Sequence, residues 1–318
     1  MNQLINLSDR IFIAGHKGMA GSAILRRMKR SKYGKSNQGA LITINRSELD
    51  LLDSNAVFNW MQENRPDVVI LAAAKVGGIY ANNLFPADFL LDNIKIQTNV
   101  IESAWRNNVR RLCFLGSSCI YPKYINQPIV EEALLKGPLE PTNQWYAVAK
   151  ISGIKLCEAL RNQYGFDAFS LMPTNLYGPG DNYHSQHSHV MAAFIRRFSE
   201  AAQSGEKLVT CWGTGTPLRE FLHVDDLADA VLFCLENWKP NSLEPSFLNV
   251  GTGMDISIHD LAHLVASATG YLGEILWDPS KPDGTPRKLL DVSRLEKKGW
   301  TFKIPLKEGI RSTVIDYS

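Results

Sequence analysis

Cysteine is scarce and scattered. The 318 residues hold five: Cys113, Cys119, Cys157, Cys211 and Cys234. No two form a Cys-x-x-Cys pair and the total is odd, which argues against a zinc cluster or a disulfide framework; no metal site is expected. Free thiols fit a reducing compartment, and a cytoplasmic location is expected. A dominant charge sign is also missing: 34 Lys and Arg stand against 32 Asp and Glu. A dedicated nucleic-acid surface needs a basic excess, so no nucleic-acid partner is expected. No stretch approaches the ~20 apolar residues of a membrane span, and Met1 to Arg10 lack the apolar core of a secretory signal. Repeats and low-complexity tracts are absent too. The length suits one large α/β unit with a smaller second part.

What is present begins with Ile11-Phe12-Ile13-Ala14, a short apolar run fit for a buried parallel strand. Gly15-His16-Lys17-Gly18-Met19-Ala20-Gly21 follows, and then a helical pattern through Ala23, Ile24, Leu25 and Met28. Strand, glycine turn and helix form a pyrophosphate site: glycine lets the backbone approach, and the helix start offers N–H groups. The next strand, 40–44, ends at Asn45-Arg46, where an NAD site usually carries an acid. Arg46 and Lys17 suit a 2′-phosphate, so NADP(H) is expected over NAD. In the alternative both are ordinary solvated side chains and Glu48 holds the ribose.

Further strands are expected at 67–73, 111–116 and 169–172, with a long helix at 87–107. The alternation predicts a Rossmann-type doubly wound parallel sheet, an α/β fold with a smaller C-terminal α/β part. Residues 1–180, completed by 221–252, are expected to bind the dinucleotide. Residues 181–220 and 253–318 are expected to form the substrate part, with a helix at about 189–203 and another after His223, capped by Asp225. The Lys75-Val76-Gly77-Gly78 loop and Ser117, Ser118 and Cys119 fall at the carboxyl edge of the sheet, where such folds bind ligands.

Tyr146 and Lys150 lie four apart and share a helix face. A phenol titrates near pH ~10, and an adjacent ammonium favours the phenolate. With the Ser117 hydroxyl, the set can hold a carbonyl oxygen and pass it a proton.

These features together resemble the extended short-chain dehydrogenase/reductase superfamily. The blocks 15–19, 72–78, 116–122, 173–179 and 281–288 are similar to the GDP-L-fucose synthase family over nearly the whole chain; the first nine or so residues match no block. The resemblance implies a homodimeric, NADPH-dependent enzyme that inverts C3 and C5 of GDP-4-dehydro-6-deoxy-D-mannose and then reduces C4. It implies Ser117, Cys119, Tyr146, Lys150 and His189 as catalytic residues, with Cys119 and His189 as the epimerising pair. For the cofactor it implies Gly15, His16, Lys17, Gly18, Met19, Gly21, Arg46, Leu115, Gly116, Ser117, Ser118, Lys150, Pro173, Thr174, Asn175, Leu176 and His189. For the nucleotide sugar it implies Arg197, Trp212, Arg219, Asp283 and Arg287. In the bland alternatives Cys119 is a buried filler, Trp212 is core, Arg197 is a surface charge and Asp283 opens a turn. The remaining rivals are another nucleotide-sugar epimerase or dehydratase of the superfamily, and a non-catalytic NADP(H)-binding sensor. Excess apolar residues on the 87–107 helix and on the helix carrying Tyr146 and Lys150 predict a four-helix dimer interface.

Overall fold

The computed structural model describes residues 3–36, 38–185, 188–241, 244–281 and 283–317, apart from the side chain of Ile79; His187 and Pro282 lie outside the described residues. The chain opens with β1 (Arg10–Ala14), α1 (Met19–Arg30), β2 (Ala40–Ile42), α2 (Ser54–Asn64), β3 (Val68–Leu71), α3 (Ile79–Leu84) and α4 (Pro86–Arg106). It continues with β4 (Arg111–Leu115), α5 (Gln144–Tyr164), β5 (Asp167–Pro173), β6 (Asn175–Tyr177), α6 (Val190–Ser204), β7 (Leu208–Trp212), β8 (Leu218–His223) and α7 (Val224–Asn237). The last elements are β9 (Phe247–Val250), β10 (Asp255–Ser257), α8 (Ile258–Thr269), β11 (Glu274–Asp278), β12 (Arg287–Lys288), α9 (Ser293–Lys297) and α10 (Leu306–Tyr317).

Six strands form a parallel sheet in the order β2-β1-β3-β4-β5-β9. Its central strands are buried throughout, which is why they read as unbroken apolar runs rather than as an alternation. Successive side chains still point to opposite faces. Ile11 and Ile13 join a core with α1 and α7, whereas Phe12 and Ala14 join a core with α2, α4 and α5. The order reverses at β1, which has β2 on one side and β3 on the other, so a crevice opens at their carboxyl ends.

The smaller part has its own core, in which Phe194 and Phe198 of α6 meet Leu261 and Val265 of α8 and Ile310 of α10. β8 lies between antiparallel β10 and parallel β12, and β6 also pairs with it. Glu220 of β8 bolts this part to the large sheet. Its buried carboxylate accepts from the backbone N–H groups of Thr252 (2.6 Å), Gly253 (2.8 Å) and Leu290 (3.0 Å). Not all of 253–318 packs here: Leu295 and Trp300 join the core of α1 and α7. The expected cap of α7 also differs. His223 is the capping residue, its Nδ1 accepting from the N–H of Asp225 (3.2 Å).

Candidate active site

A single cleft of about 1170 Å³ runs from the β1–α1 turn to the smaller part. At its first end the glycines divide their work. Gly15 has φ +91°, and a Cβ there would lie 2.6 Å from the nitrogen of Ala73, so the turns after β1 and β3 can touch only with glycine. A Cβ on Gly21 would lie 2.1 Å from the Gly15 carbonyl oxygen. A Cβ on Gly18 would meet only that oxygen, at 3.6 Å, so this position faces open space. Gly18 also heads α1 with no side-chain cap, leaving first-turn N–H groups for a ligand.

His16, Lys17 and Met19 line this end, as does Arg46 beyond β2. Arg46 is 79 % exposed and loosely paired with Asp50 at 3.9 Å. Glu48, the alternative ribose ligand, accepts instead from Asn45 Nδ2 (2.6 Å). The far wall is Gly116, Ser117 and Ser118 together with Pro173, Thr174, Asn175 and Leu176. Thr174 Oγ1 and Asn175 Nδ2 both donate to the Glu220 carbonyl. Asn93, buried in the apolar stripe of α4, holds the loop after β3: it accepts from the N–H of Lys75 (2.9 Å) and donates to its carbonyl (3.0 Å). This open turn, bare helix start and paired cations fit a dinucleotide carrying an extra phosphate.

Ser117, Cys119 and Tyr146 stand together in the cleft, which His189 also lines. Ser117 heads the short helical turn 118–120, its Oγ accepting from the N–H of Cys119 (3.2 Å). Its hydroxyl lies within hydrogen-bonding reach of Tyr146. Tyr146 rises from the first turn of α5 and stands edge-on to Phe89.

Lys150 corrects one expectation. Its ammonium lies behind the tyrosine ring, 5.8 Å from the centroid, and donates to the Leu115 carbonyl (2.7 Å). Neither Lys150 nor Leu115 lines the cleft. Burial pushes Lys150 down to about 7. Burial, and then the facing Cys119, pushes Tyr146 above its ordinary value, against the Ser117 hydrogen bond. The phenol is therefore held protonated, as a proton donor requires, instead of being drawn toward phenolate.

Cys119 is only partly buried, unlike the four other cysteines, so it is not a core filler. Its sulfur accepts from Asn143 Nδ2 (3.4 Å). His189 heads α6 at the cleft mouth. Desolvation, and then the charge of Lys288, lowers its titration below the ordinary imidazole value, although the residue is exposed on the cleft side.

At the other end, Trp212 is 58 % exposed with the Lys281 ammonium 5.7 Å from its ring, which removes the core alternative. Both carboxylate oxygens of Asp283 are engaged by Thr214, through its N–H (2.8 Å) and its Oγ1 (2.8 Å). Arg219 donates to the Leu218 carbonyl (2.9 Å) and lies near Cys119, Glu140 and Asp283. Arg197 donates to the Thr210 carbonyl. Arg197, Trp212, Arg219 and Asp283 all line the cleft; Arg287, paired with Asp255 on β10 (2.6 Å), lines instead the small pocket beside it with Cys119, Asn143 and Lys288. Its neighbour Lys288 lines the cleft in its place. Lys288 and Asn143 are the site residues that sequence reasoning missed. Lys288 stood in the 281–288 block, whereas nothing in the sequence singled out Asn143.

A family model described as the NAD dependent epimerase/dehydratase family matches residues 11–251. The chain is 54 % identical over 311 residues to a probable GDP-L-fucose synthase 1 of Oryza sativa subsp. japonica, covering 98 % of this chain and 92 % of that one. It is 53 % identical over 311 residues to the GDP-L-fucose synthase of Escherichia coli (strain K12), covering 96 % and 95 %. The solved structure of a GDP-mannoheptose C4 reductase from Campylobacter jejuni with NADP bound superposes with a TM-score of 0.88 at 35 % identity, covering 98 % and 99 %. The chain belongs to the NAD dependent epimerase/dehydratase family, and within it groups with the GDP-L-fucose synthases.

Proposed function

We propose that the chain converts GDP-4-dehydro-6-deoxy-D-mannose to GDP-L-fucose, inverting C3 and C5 and then reducing C4. The observation that carries this reading is the continuity of the cleft: an open dinucleotide turn, a Ser117–Tyr146 pair, a thiol and imidazole, and an arginine-bearing far end share one space. NADP(H) is the cofactor, held by the β1–α1 turn, Arg46 and the 173–176 wall, and it supplies the hydride for C4.

The 4-keto group acidifies the protons on C3 and C5, and the enolate left by their removal needs hydrogen-bond donors at O4. Ser117 and Tyr146 supply them. Inversion requires a proton to leave one face and return to the other, which suits two groups better than one. Cys119 and His189 divide this task. Tyr146 then delivers its proton to O4 as C4 is reduced. Arg197 and Arg219 serve the diphosphate with planar donor forks, and Trp212 offers an open ring face. Cys119→Ser tests the division. Incorporation of solvent deuterium at C3 and C5 is expected to fall about 100-fold or more, with NADPH affinity unchanged; undiminished incorporation would refute the role.

The assembly in this reading is a homodimer through α4 and α5. Its support is the exposure of Leu91 on α4 and of Trp145 and Val148 on α5. Sedimentation at low concentration checks it. No helix among the described residues is long and apolar enough to cross a membrane. The five free cysteines favour the cytoplasm as the place of reaction.

A further inference from the structure

Asn143 occupies the N-cap position of α5, where an asparagine ordinarily turns its side-chain oxygen back onto the first helical N–H groups. Here it makes no such bond. Its amide nitrogen points instead at the sulfur of Cys119, 3.4 Å away. Its Oδ1 is buried without a hydrogen-bond partner, and the residue lines the cleft. A local rule is broken in the same place where a buried acceptor is left unused, a pattern that marks sites kept for function.

The backbone of Asn143 makes the placement rigid. Its N–H donates to the Glu140 carbonyl (3.2 Å), and its own carbonyl accepts from Ala147 (3.0 Å). Cys119 is fixed from the other side by the Ser117 hydroxyl oxygen, which accepts from its N–H. Asn143 and Tyr146 from α5 and Arg219 from β8 stand near the thiol, and Glu140, Arg287 and Lys288 line the small pocket it shares with Asn143.

We propose that Asn143 is a positioning residue for the epimerisation: its amide N–H orients the Cys119 sulfur, and its free Oδ1 accepts from a hydroxyl of the sugar. An N–H aimed at sulfur stabilises negative charge there, the form that removes a proton from carbon. An unpartnered buried acceptor is costly until a donor arrives, so it discriminates in favour of a ligand that brings one. The sugar hydroxyl beside the reacting carbons is such a donor. The amide would then tie the position of the base to the seating of the carbon it attacks.

This inference rests on the epimerase reading, and two readouts keep the two apart. The first needs no substrate. With four cysteines buried, iodoacetamide labels Cys119 selectively in the folded protein. At neutral pH, labelling is expected to slow about fivefold in Asn143→Ala and further in Asn143→Asp, which keeps the shape but turns an acceptor toward the sulfur. Asn143→Ser, retaining a donor, is expected to recover part of the rate. The second readout compares deuterium incorporation at C3 and C5 with reduction of a 4-keto sugar already inverted at both carbons. Incorporation is expected to fall about 20-fold or more in Asn143→Ala, and reduction, which loses only the sugar contact, to fall several-fold less than incorporation. Unchanged labelling and incorporation in both Asn143→Ala and Asn143→Asp would overturn the proposal. So would an equal fall in incorporation and reduction at unchanged melting temperature, since that pattern belongs to a disturbed Tyr146. If wild-type protein incorporates no deuterium, the epimerase reading itself fails, and labelling alone still decides whether Asn143 controls the thiol.

Discussion

At the cofactor end of the cleft, Gly21 packs on the Gly15 backbone within one turn of chain, Gly15 makes room for the backbone of Ala73, and Gly18 faces open space. At the substrate end, Asp283 reaches Thr214 across 69 residues, and Arg287 reaches Asp255 across 32. The first end is specified by where side chains are missing, the second by pairs of side chains brought together only by the completed fold. A change at the first end therefore acts through backbone strain or through one ligand charge. A change at the second loosens a loop and leaves the sheet alone. Between them, Ser117, Tyr146 and Cys119 stand on rigid element ends belonging to the large sheet.

The largest effect is expected between the two ends. Tyr146→Phe should lower C4 reduction by about 100- to 10,000-fold while deuterium still enters C3 and C5 and NADPH still binds. Single-turnover absorbance and mass spectrometry read these separately; loss of all three would mean that Tyr146 holds the site together instead of donating a proton. Next comes the cofactor end. Arg46→Ala should weaken NADPH binding by roughly 10- to 100-fold, the worth of one charge-assisted contact, without touching NADH or the KM for the GDP-sugar. Equal weakening of both cofactors would remove Arg46 from the 2′-phosphate. At the substrate end, Asp283→Ala should raise the KM for the GDP-sugar about tenfold by freeing the 213–216 loop, within the range of a lost pair of hydrogen bonds, and leave cofactor affinity as it was. Parallel loss of both affinities would dissolve the distinction between the ends.

The smallest effect concerns pH. Burial lowers Lys150 from its ordinary 10.5 to about 7 in the folded protein. Between those values the unfolded chain holds the extra proton, so this residue makes stability rise with pH across that window. In cofactor-free protein, the melting temperature of wild type relative to Lys150→Met should climb by a few degrees between pH 7 and pH 9. A flat difference would show that Lys150 keeps its charge at neutral pH.

The sheet was legible because parallel strands buried on both faces leave continuous apolar runs such as Val68 to Leu71. The glycine turn was legible because its residues are contiguous. Tyr146 and Lys150 were legible as a pair, yet their relation was not: only the closed sheet brings the Leu115 carbonyl to the lysine, whose ammonium lies over the tyrosine ring. Arg287 and Lys288 show the same limit. They are adjacent on a two-residue strand, so they point to opposite sides. Register sets Lys288 of β12 opposite Arg219, so it lines the main cleft, while Arg287 lines only the small pocket beside it. Asp225 has the residue type of a cap, but the helix starts earlier and His223, two residues before it, takes that place. Asn143 was hidden by its ordinariness, since asparagine before a helix is expected to serve the helix.

The central claim is tested most directly by turnover of the purified protein with GDP-4-dehydro-6-deoxy-D-mannose and NADPH in deuterated water, followed by absorbance and NMR. The account predicts one NADPH oxidised per GDP-L-fucose formed, with deuterium at C3 and C5. Bound NADPH that is never consumed, or a reduced sugar still carrying the original configuration and protons at C3 and C5, would contradict it.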